Sequence, residues 1–325
     1  MTLVERYLSH ISAIRRYSER TCELYKTILE DYFTYVREGD EVSDEVEYLQ
    51  AALVRRYEVH LLDERGFKAS TVNLHLSVLS GLCRFLISEG LLEVNPIRQV
   101  SRPRQSKRLP VFFRKESMDE YMKDSLPSST EENLELIVGD DKTSQNIFLT
   151  RQRRLIVSIL YQTGMRRSEL IGLKLSNIDL TRKVIRVTGK GNKMREIPLL
   201  SSLCKEISLY LAAASSLMDD VYNPEQPLIR TLKGEKIYPM YVDRAVKKEL
   251  SGVDGVSGRR SPHVLRHTLA TELLDDGSDL NSIKELLGHS SLAATQVYTH
   301  NSIEKLQKVY NHAHPRAKNG GNNGD

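Results

Sequence analysis

A helix cannot cross the stretch QVSRPRQSKRLPVF, and that break divides everything else in the chain. Pro103 and Pro110 each remove a backbone donor and clash with the turn before them. Between and beside them stand Arg102, Arg104, Lys107 and Arg108, with no acid to offset the charge. Such a segment is a solvated connector. The same four bases would also suit a tether that follows a phosphate backbone.

On the N-terminal side, residues 1 to about 97 carry helical patterning only. In SERTCELYKTILEDYFTYV, Ser18 is placed as an N-cap, and Leu24, Tyr25, Ile28, Leu29, Tyr32 and Phe33 recur on one helix face. A second helix is predicted through DEVEYLQAALVRRYEVHLLDERG, ending at Gly66. A third runs from near Ser70 to Gly90, ahead of the Asn95-Pro96 break. Short antiparallel helices of this kind form a bundle.

On the other side, SSTEENLELIVGDDKTSQN is polar, acidic and weakly periodic, and reads as a surface insertion over about 126–148. Order is expected again from Arg151, in the apolar helix RQRRLIVSILYQTG closed by Gly164, with a new helix starting in MRRSELIGLKL. Alternation in KVIRV, then GKGNK, then MREI, predicts a β-hairpin. Helices follow in SSLCKEISLYLAAASSLM, YVDRAVKKELS, HVLRHTLATELLDDG, SDLNSIKELLG and SLAATQVYTH. The expected fold is mainly α, with a helical N-terminal domain and a mixed α/β second domain holding a small antiparallel sheet. Boundaries fall at 1–98, a basic linker 99–112, 113–315 and a tail 316–325.

Composition narrows the function classes. No run of about eighteen apolar residues is present, and MTLVERYLSHISAIRR lacks a signal-peptide core. Cys22, Cys83 and Cys204 are odd in number and scattered, which suits small core residues in a reducing compartment. A cytoplasmic protein with no membrane partner is expected, and the net charge of +4 fits nucleic acid without demanding it.

Several cationic or proton-carrying side chains lie at the breaks between elements: Arg166, Lys190, His263 with Arg266 in PHVLRH, and His289 after a glycine. Each has an ordinary explanation alone, as a surface, turn or capping residue. His263 and His267 have zinc-like spacing, but Val-Leu-Arg between them supplies an arginine where a general-base glutamate would stand, so no metal site is expected. SDLNSIKELLGHSSLAATQVY also reads as helix, turn and helix, the pattern of a non-catalytic DNA-binding regulator.

Taken together, TGMRRSEL, VTGKGNKMREIPL, HVLRHTLATELL and LLGHSSLAATQVYTH resemble, in that order, the tyrosine recombinase (phage integrase) family. The similarity spans essentially the whole chain and is greatest to the Xer recombinases. It implies a SAM-like core-binding domain followed by the tyrosine recombinase catalytic fold. Carried across residue by residue, it implies Tyr298 as the nucleophile that forms a 3′-phosphotyrosyl link. Arg166 and Arg266 would hold the phosphate, and Lys190 rather than Lys193 would act as general acid. His263 and His289 would assist, in a division the resemblance leaves open, and Glu169 would steady Arg166.

The chemistry fits. A phenol with a pKa of about 10 needs neighbouring cations and a base, and the developing phosphate charge needs paired guanidiniums. No cofactor is implied. The implied partners are double-stranded DNA, a homo- or hetero-tetramer on paired sites, with or without a paralogous recombinase, and a septal DNA translocase. The apolar stripe Ile303, Leu306, Val309 and Tyr310 would serve protomer contacts or pack on its own domain. Dimer resolution, mobile-element integration and DNA inversion all share this layout, and a type IB topoisomerase shares the chemistry.

Overall fold

The computed structural model describes residues 2–37, 45–104, 112–124, 142–189, 194–253 and 258–288. The chain divides into two units, 1–108 and 109–325, each with its own core.

In the first unit, Thr2 and Glu5 form a reciprocal capping box that starts α1, Leu3–Ala13. Ser18 caps α2, Glu19–Arg37, its hydroxyl accepting from the Thr21 N–H at 3.3 Å. The buried stripe of α2 is Ile28, Leu29, Tyr32, Phe33 and Val36. Leu24, expected on that stripe, is exposed, because Tyr25 beside it stacks on Tyr7 and meets Tyr17 edge-on while Leu24 faces solvent. The second predicted helix is shorter than expected. α3 covers Ala51–Val59 and widens into a π turn over His60–Glu64, and Gly66 at φ 62° stops it.

α4, Ala69–Ser88, is the spine of this unit and buries Val72, Leu76, Leu79, Leu82 and Cys83. It is the one helix among the described residues long and apolar enough to cross a membrane, and half of its apolar window is buried in this core. A polar network crosses the unit: the Tyr57 hydroxyl donates to Asp31 at 2.7 Å and meets His75 Nδ1 at 2.9 Å, while Arg65 donates to both Asp31 oxygens.

The first part of the basic segment lies against α4 and is not a free connector. Val100 is buried, Arg102 Nη1 donates to the Ser77 hydroxyl at 2.9 Å, and Asn73 donates to the Pro103 carbonyl at 3.0 Å. Lys107 and Arg108 fall outside the described residues.

The second unit is built around a long helix, and here the sequence expectation needs correction. α5, Lys115–Asp124, was not anticipated; it buries Met118, Tyr121 and Met122. α6 begins at Lys142 and runs to Thr163, so ordered helix extends well into the span expected as polar insertion. The cause is tertiary: Phe148 is fully buried and stacks on Tyr210, with centroids 5.6 Å apart. Gly164 at φ 60° ends α6, and α7, Arg167–Gly172, starts at once.

The sheet has the order β1-β2-β3, all antiparallel, from Ile178–Asp179, Val184–Thr188 and Met194–Pro198. The predicted hairpin is β2–β3, and its register pairs Ile185 with Ile197 and Val187 with Arg195. β1, only two residues long, was not foreseen. Among the described residues, four further helices belong to the unit: α8 (Ser201–Ser215), α9 (Pro239–Glu249), α10 (Pro262–Asp275) and α11 (Leu280–Leu287). Asp279 caps the start of α11, and Gly288, in the left-handed region at φ 68°, ends it.

Candidate active site

The end of α6, the starts of α7 and α10 and the end of α11 are tied to one another and to β3 by hydrogen bonds, and each is there for a local reason. α6 stops because Gly164 turns left-handed; a Cβ at that position would lie 2.5 Å from Leu287 Cδ2 and 2.9 Å from Leu269 Cδ2. α7 starts at Arg166, whose N–H donates to Glu169 Oε2 at 2.8 Å, so the carboxylate caps the first turn. α10 has Pro262 at its first position, where the missing donor costs nothing. This start sets His263 and Arg266 one turn apart on α10.

A helix end leaves its last carbonyls without partners, and they carry the negative end of the helix dipole. At the end of α11, three arginines take three successive carbonyls. Arg195 Nε donates to Leu286 O at 3.0 Å, Arg266 Nη2 to Leu287 O at 2.7 Å, and Arg166 Nη2 to Gly288 O at 2.7 Å. Arg266 also donates from Nη1 to Gly164 O at 2.6 Å, tying α6 to α11. Residues more than a hundred positions apart in sequence thus converge on one turn of backbone.

Glu169 is the anchor beneath them. Its side chain is only 3% exposed and accepts four donors: Arg166 N, Arg166 Nη1 at 3.1 Å, and Arg195 Nη1 and Nη2 at 2.8 and 2.9 Å. Four bonds saturate the acceptor sites of a carboxylate. Burial alone would raise its pKa, but the bonds and charge of Arg195, helped by Arg166, hold it below the usual carboxylate value.

Burial, then repulsion from Arg166 and Arg195, pushes Arg266 down to about 10, so it stays charged at neutral pH. Three guanidiniums face one carboxylate, which leaves two net positive charges in the cluster. Of the five N–H groups of an arginine, Arg166 and Arg266 each commit two side-chain donors to the protein, which leaves donors for an outside anion. Arg166 is partly open to solvent, whereas Arg266 is buried.

His263 is exposed on the first turn of α10. Its pKa is lowered by partial burial and then by the charges of Arg167, His267, Arg266 and Arg259, which favours a neutral imidazole able to accept a proton. Among the described residues, no group of three or more His, Cys, Asp or Glu side chains could hold a metal ion.

Of the residues singled out in the sequence, Arg166, Glu169 and Arg266 come together through direct bonds and shared partners. His263 sits one turn from Arg266. Lys190, Lys193, His289 and Tyr298 lie outside the described residues, which end at Gly288, one position before His289. Arg102 and Arg104 belong to the first unit.

One member was missed. Arg195 is 6% exposed and bonds to Glu169 and to α11, yet in MREIP it looks like an ordinary strand arginine. The available signal was alternation: Arg195 shares a strand face with buried Ile197, and an arginine there must have a buried acceptor.

Comparison with known proteins bears on this cluster. A family model described as the phage integrase family matches residues 129–305, and one described as the phage integrase N-terminal SAM-like domain matches residues 4–90. A tyrosine recombinase XerC of Chlorobaculum parvum is 33% identical over 97% of this chain and 94% of its own length. The XerC of Listeria innocua is also 33% identical, over 97% of this chain and 98% of its own. Among solved structures, a XerH site-specific recombinase bound to palindromic difH substrate is similar with a TM-score of 0.65, at 19% identity, covering 97% of this chain and 83% of that one. A Tn1549 transposon integrase in complex with transposon right end DNA gives 0.61 at 18% identity, covering 94% of this chain and the whole of that one.

Proposed function

Since this chain belongs to the phage integrase family and is a site-specific tyrosine recombinase, we propose that the arginine cluster holds the scissile phosphate of duplex DNA while Tyr298 attacks it. The supporting observation is the convergence of Arg166 and Arg266 on the backbone that leads directly into His289. Two planar, permanently charged forks suit the two non-bridging oxygens, which gain charge as the phosphorus becomes five-coordinate. Fixed donors of this kind stabilise such a transition state by about 2.7–4 kcal/mol each.

In the proposed step the Tyr298 oxygen bonds to phosphorus and the bond to the sugar 5′-oxygen breaks. His263, whose pKa is lowered by burial and then by its cationic neighbours, accepts the phenol proton, and His289 hydrogen-bonds the phosphate. Lys190 gives a proton to the departing 5′-oxygen, a role open to lysine and closed to arginine. The products are a 3′-phosphotyrosyl link and a free 5′-hydroxyl. One phosphoester bond replaces another, so a hydroxyl from a partner strand can reverse the step without nucleotide hydrolysis.

The XerC names of the relatives favour a Xer-like role, the resolution of chromosome or plasmid dimers. The DNA in the XerH and Tn1549 integrase structures supports duplex DNA as the partner. Arg102 and Arg104, with Lys107 and Arg108, are assigned to its backbone. The working form is proposed as a tetramer on paired sites in the cytoplasm, at the nucleoid. That tetramer is made of this chain alone or with a paralogue, and a septal DNA translocase activates it.

The test is Tyr298→Phe on a nicked suicide duplex. The variant is expected to bind the site and form no covalent adduct. Adducts that persist in it would overturn the assignment of the nucleophile.

A further inference from the structure

We propose that Arg195 is a positioning residue for strand cleavage: it locks the β2–β3 hairpin, Glu169 and the end of α11 together, and so fixes how Arg166 and Arg266 meet the phosphate. The proposal rests on the reading that those two arginines hold the scissile phosphate.

Three acceptors on two separate elements define what Arg195 does. Nη1 and Nη2 donate to the two oxygens of Glu169, and Nε donates to Leu286 O. The same carboxylate binds the main chain and side chain of Arg166. The same helix end supplies the carbonyls that hold Arg266 and Arg166. Arg195 is therefore one bond removed from Arg166 through Glu169, and one residue removed from the Arg266 acceptor through Leu286. It is the second residue of β3 and lies five positions past Lys190 in sequence.

Gly288 gives an independent mark of this contact. A Cβ there would lie 2.9 Å from Arg195 Nη1 and 3.0 Å from its Cζ. The chain turns left-handed at that point and passes directly over the guanidinium face, which only a glycine allows at both counts.

Stability alone does not explain the arrangement. A buried ion pair can often be exchanged for packed apolar side chains at no cost, because desolvation offsets its attraction. What an apolar pair cannot supply is a planar fork that sets the direction of three acceptors at once. Lysine cannot supply it either, since its donors all leave from one nitrogen.

The experiment compares single-turnover adduct formation by the full chain and by Arg195→Lys on two nicked duplexes. One carries an ordinary scissile phosphodiester and the other an uncharged methylphosphonate in its place. Misplacement by about 1 Å costs on the order of 100-fold in rate, so Arg195→Lys is expected to lose about 30–100-fold on the phosphodiester with duplex binding unchanged. On the methylphosphonate the deficit shrinks by about tenfold or more, because the charge that the positioned guanidiniums stabilise has been removed.

Gly288→Ala keeps every charged group, presses a Cβ onto the Arg195 guanidinium, and is expected to shift the rate ratio in the same direction. A loss under about threefold on the phosphodiester, or equal losses on both substrates, overturns the proposal. Arg166→Ala reports on the underlying reading separately: cleavage at the unaltered rate in that variant would remove the site assignment itself.

Discussion

Removing Glu169 should be among the most damaging single changes in the second unit. Its side chain and that of Arg195 are 3% and 6% exposed, so water screens neither. Glu169→Ala strips two charge-assisted bonds from Arg195 and leaves a buried guanidinium with, among the described residues, Leu286 O as its hydrogen-bond partner. Breaking a buried pair by deleting one partner costs about 3–5 kcal/mol. That is a large share of the roughly 5–15 kcal/mol that holds a domain folded.

Hydrogen exchange with mass readout gives the opening free energy of peptides in α6 and α10 directly, and peptides of α4, in the other core, serve as reference. The expected drop in α6 and α10 is about 3–5 kcal/mol. Because the folded pKa of Glu169 is depressed, its contribution is present above its ordinary value of 4.5 and is lost as pH falls through the folded value. The gap between the wild-type chain and Glu169→Ala should therefore narrow below that pH. A drop under about 1 kcal/mol at neutral pH, within the range of an ordinary exposed pair, would mean that Glu169 does not anchor the cluster.

Two further outcomes follow from the same unit. Gly164→Ala forces a left-handed alanine and drives a Cβ into Leu287 and Leu269, so thermal melts should show a loss of about 2–5 kcal/mol, the sum of backbone strain and overpacking. A loss below about 1 kcal/mol would show that Leu287 moves aside freely. Glu272 is buried on α10, accepts from the Tyr161 hydroxyl at 2.8 Å, and is raised to about 8, mainly by burial. A raised folded pKa means that stability is full below 4.5 and falls as pH rises toward about 8. Glu272→Gln, titrating nothing, should flatten the melting profile over that window, and parallel profiles for the two proteins would contradict the account.

Much of this architecture could be read from local chemistry. Gly66, Gly164 and Gly288 end helices at positions where the periodicity runs out, and all three adopt the left-handed backbone that favours glycine. Ser18 and Asp279 cap helices because short polar side chains reach the free N–H groups that follow them. The four motif boxes singled out Arg166, Glu169 and Arg266 before any tertiary contact was known. What could not be read depends on partners distant in the chain. The helix start at Lys142 needs Phe148 to find Tyr210, and β1 exists only because Ile178 and Asp179 pair with a strand of a formed hairpin. Arg195 went unnoticed because its meaning lies in Glu169 and Leu286, neither of them near it in sequence. The meeting of three arginines on consecutive carbonyls is likewise a product of packing.

One tyrosine out of fifteen is expected to become joined to DNA. Trapping the adduct on a nicked suicide duplex, digesting with nuclease and trypsin, and sequencing the peptides by mass spectrometry locates that bond. A nucleotide remnant is expected on Tyr298, in the tryptic peptide spanning 285–305. A remnant on any other residue, or a cleaved duplex with no covalent protein attached, would contradict it.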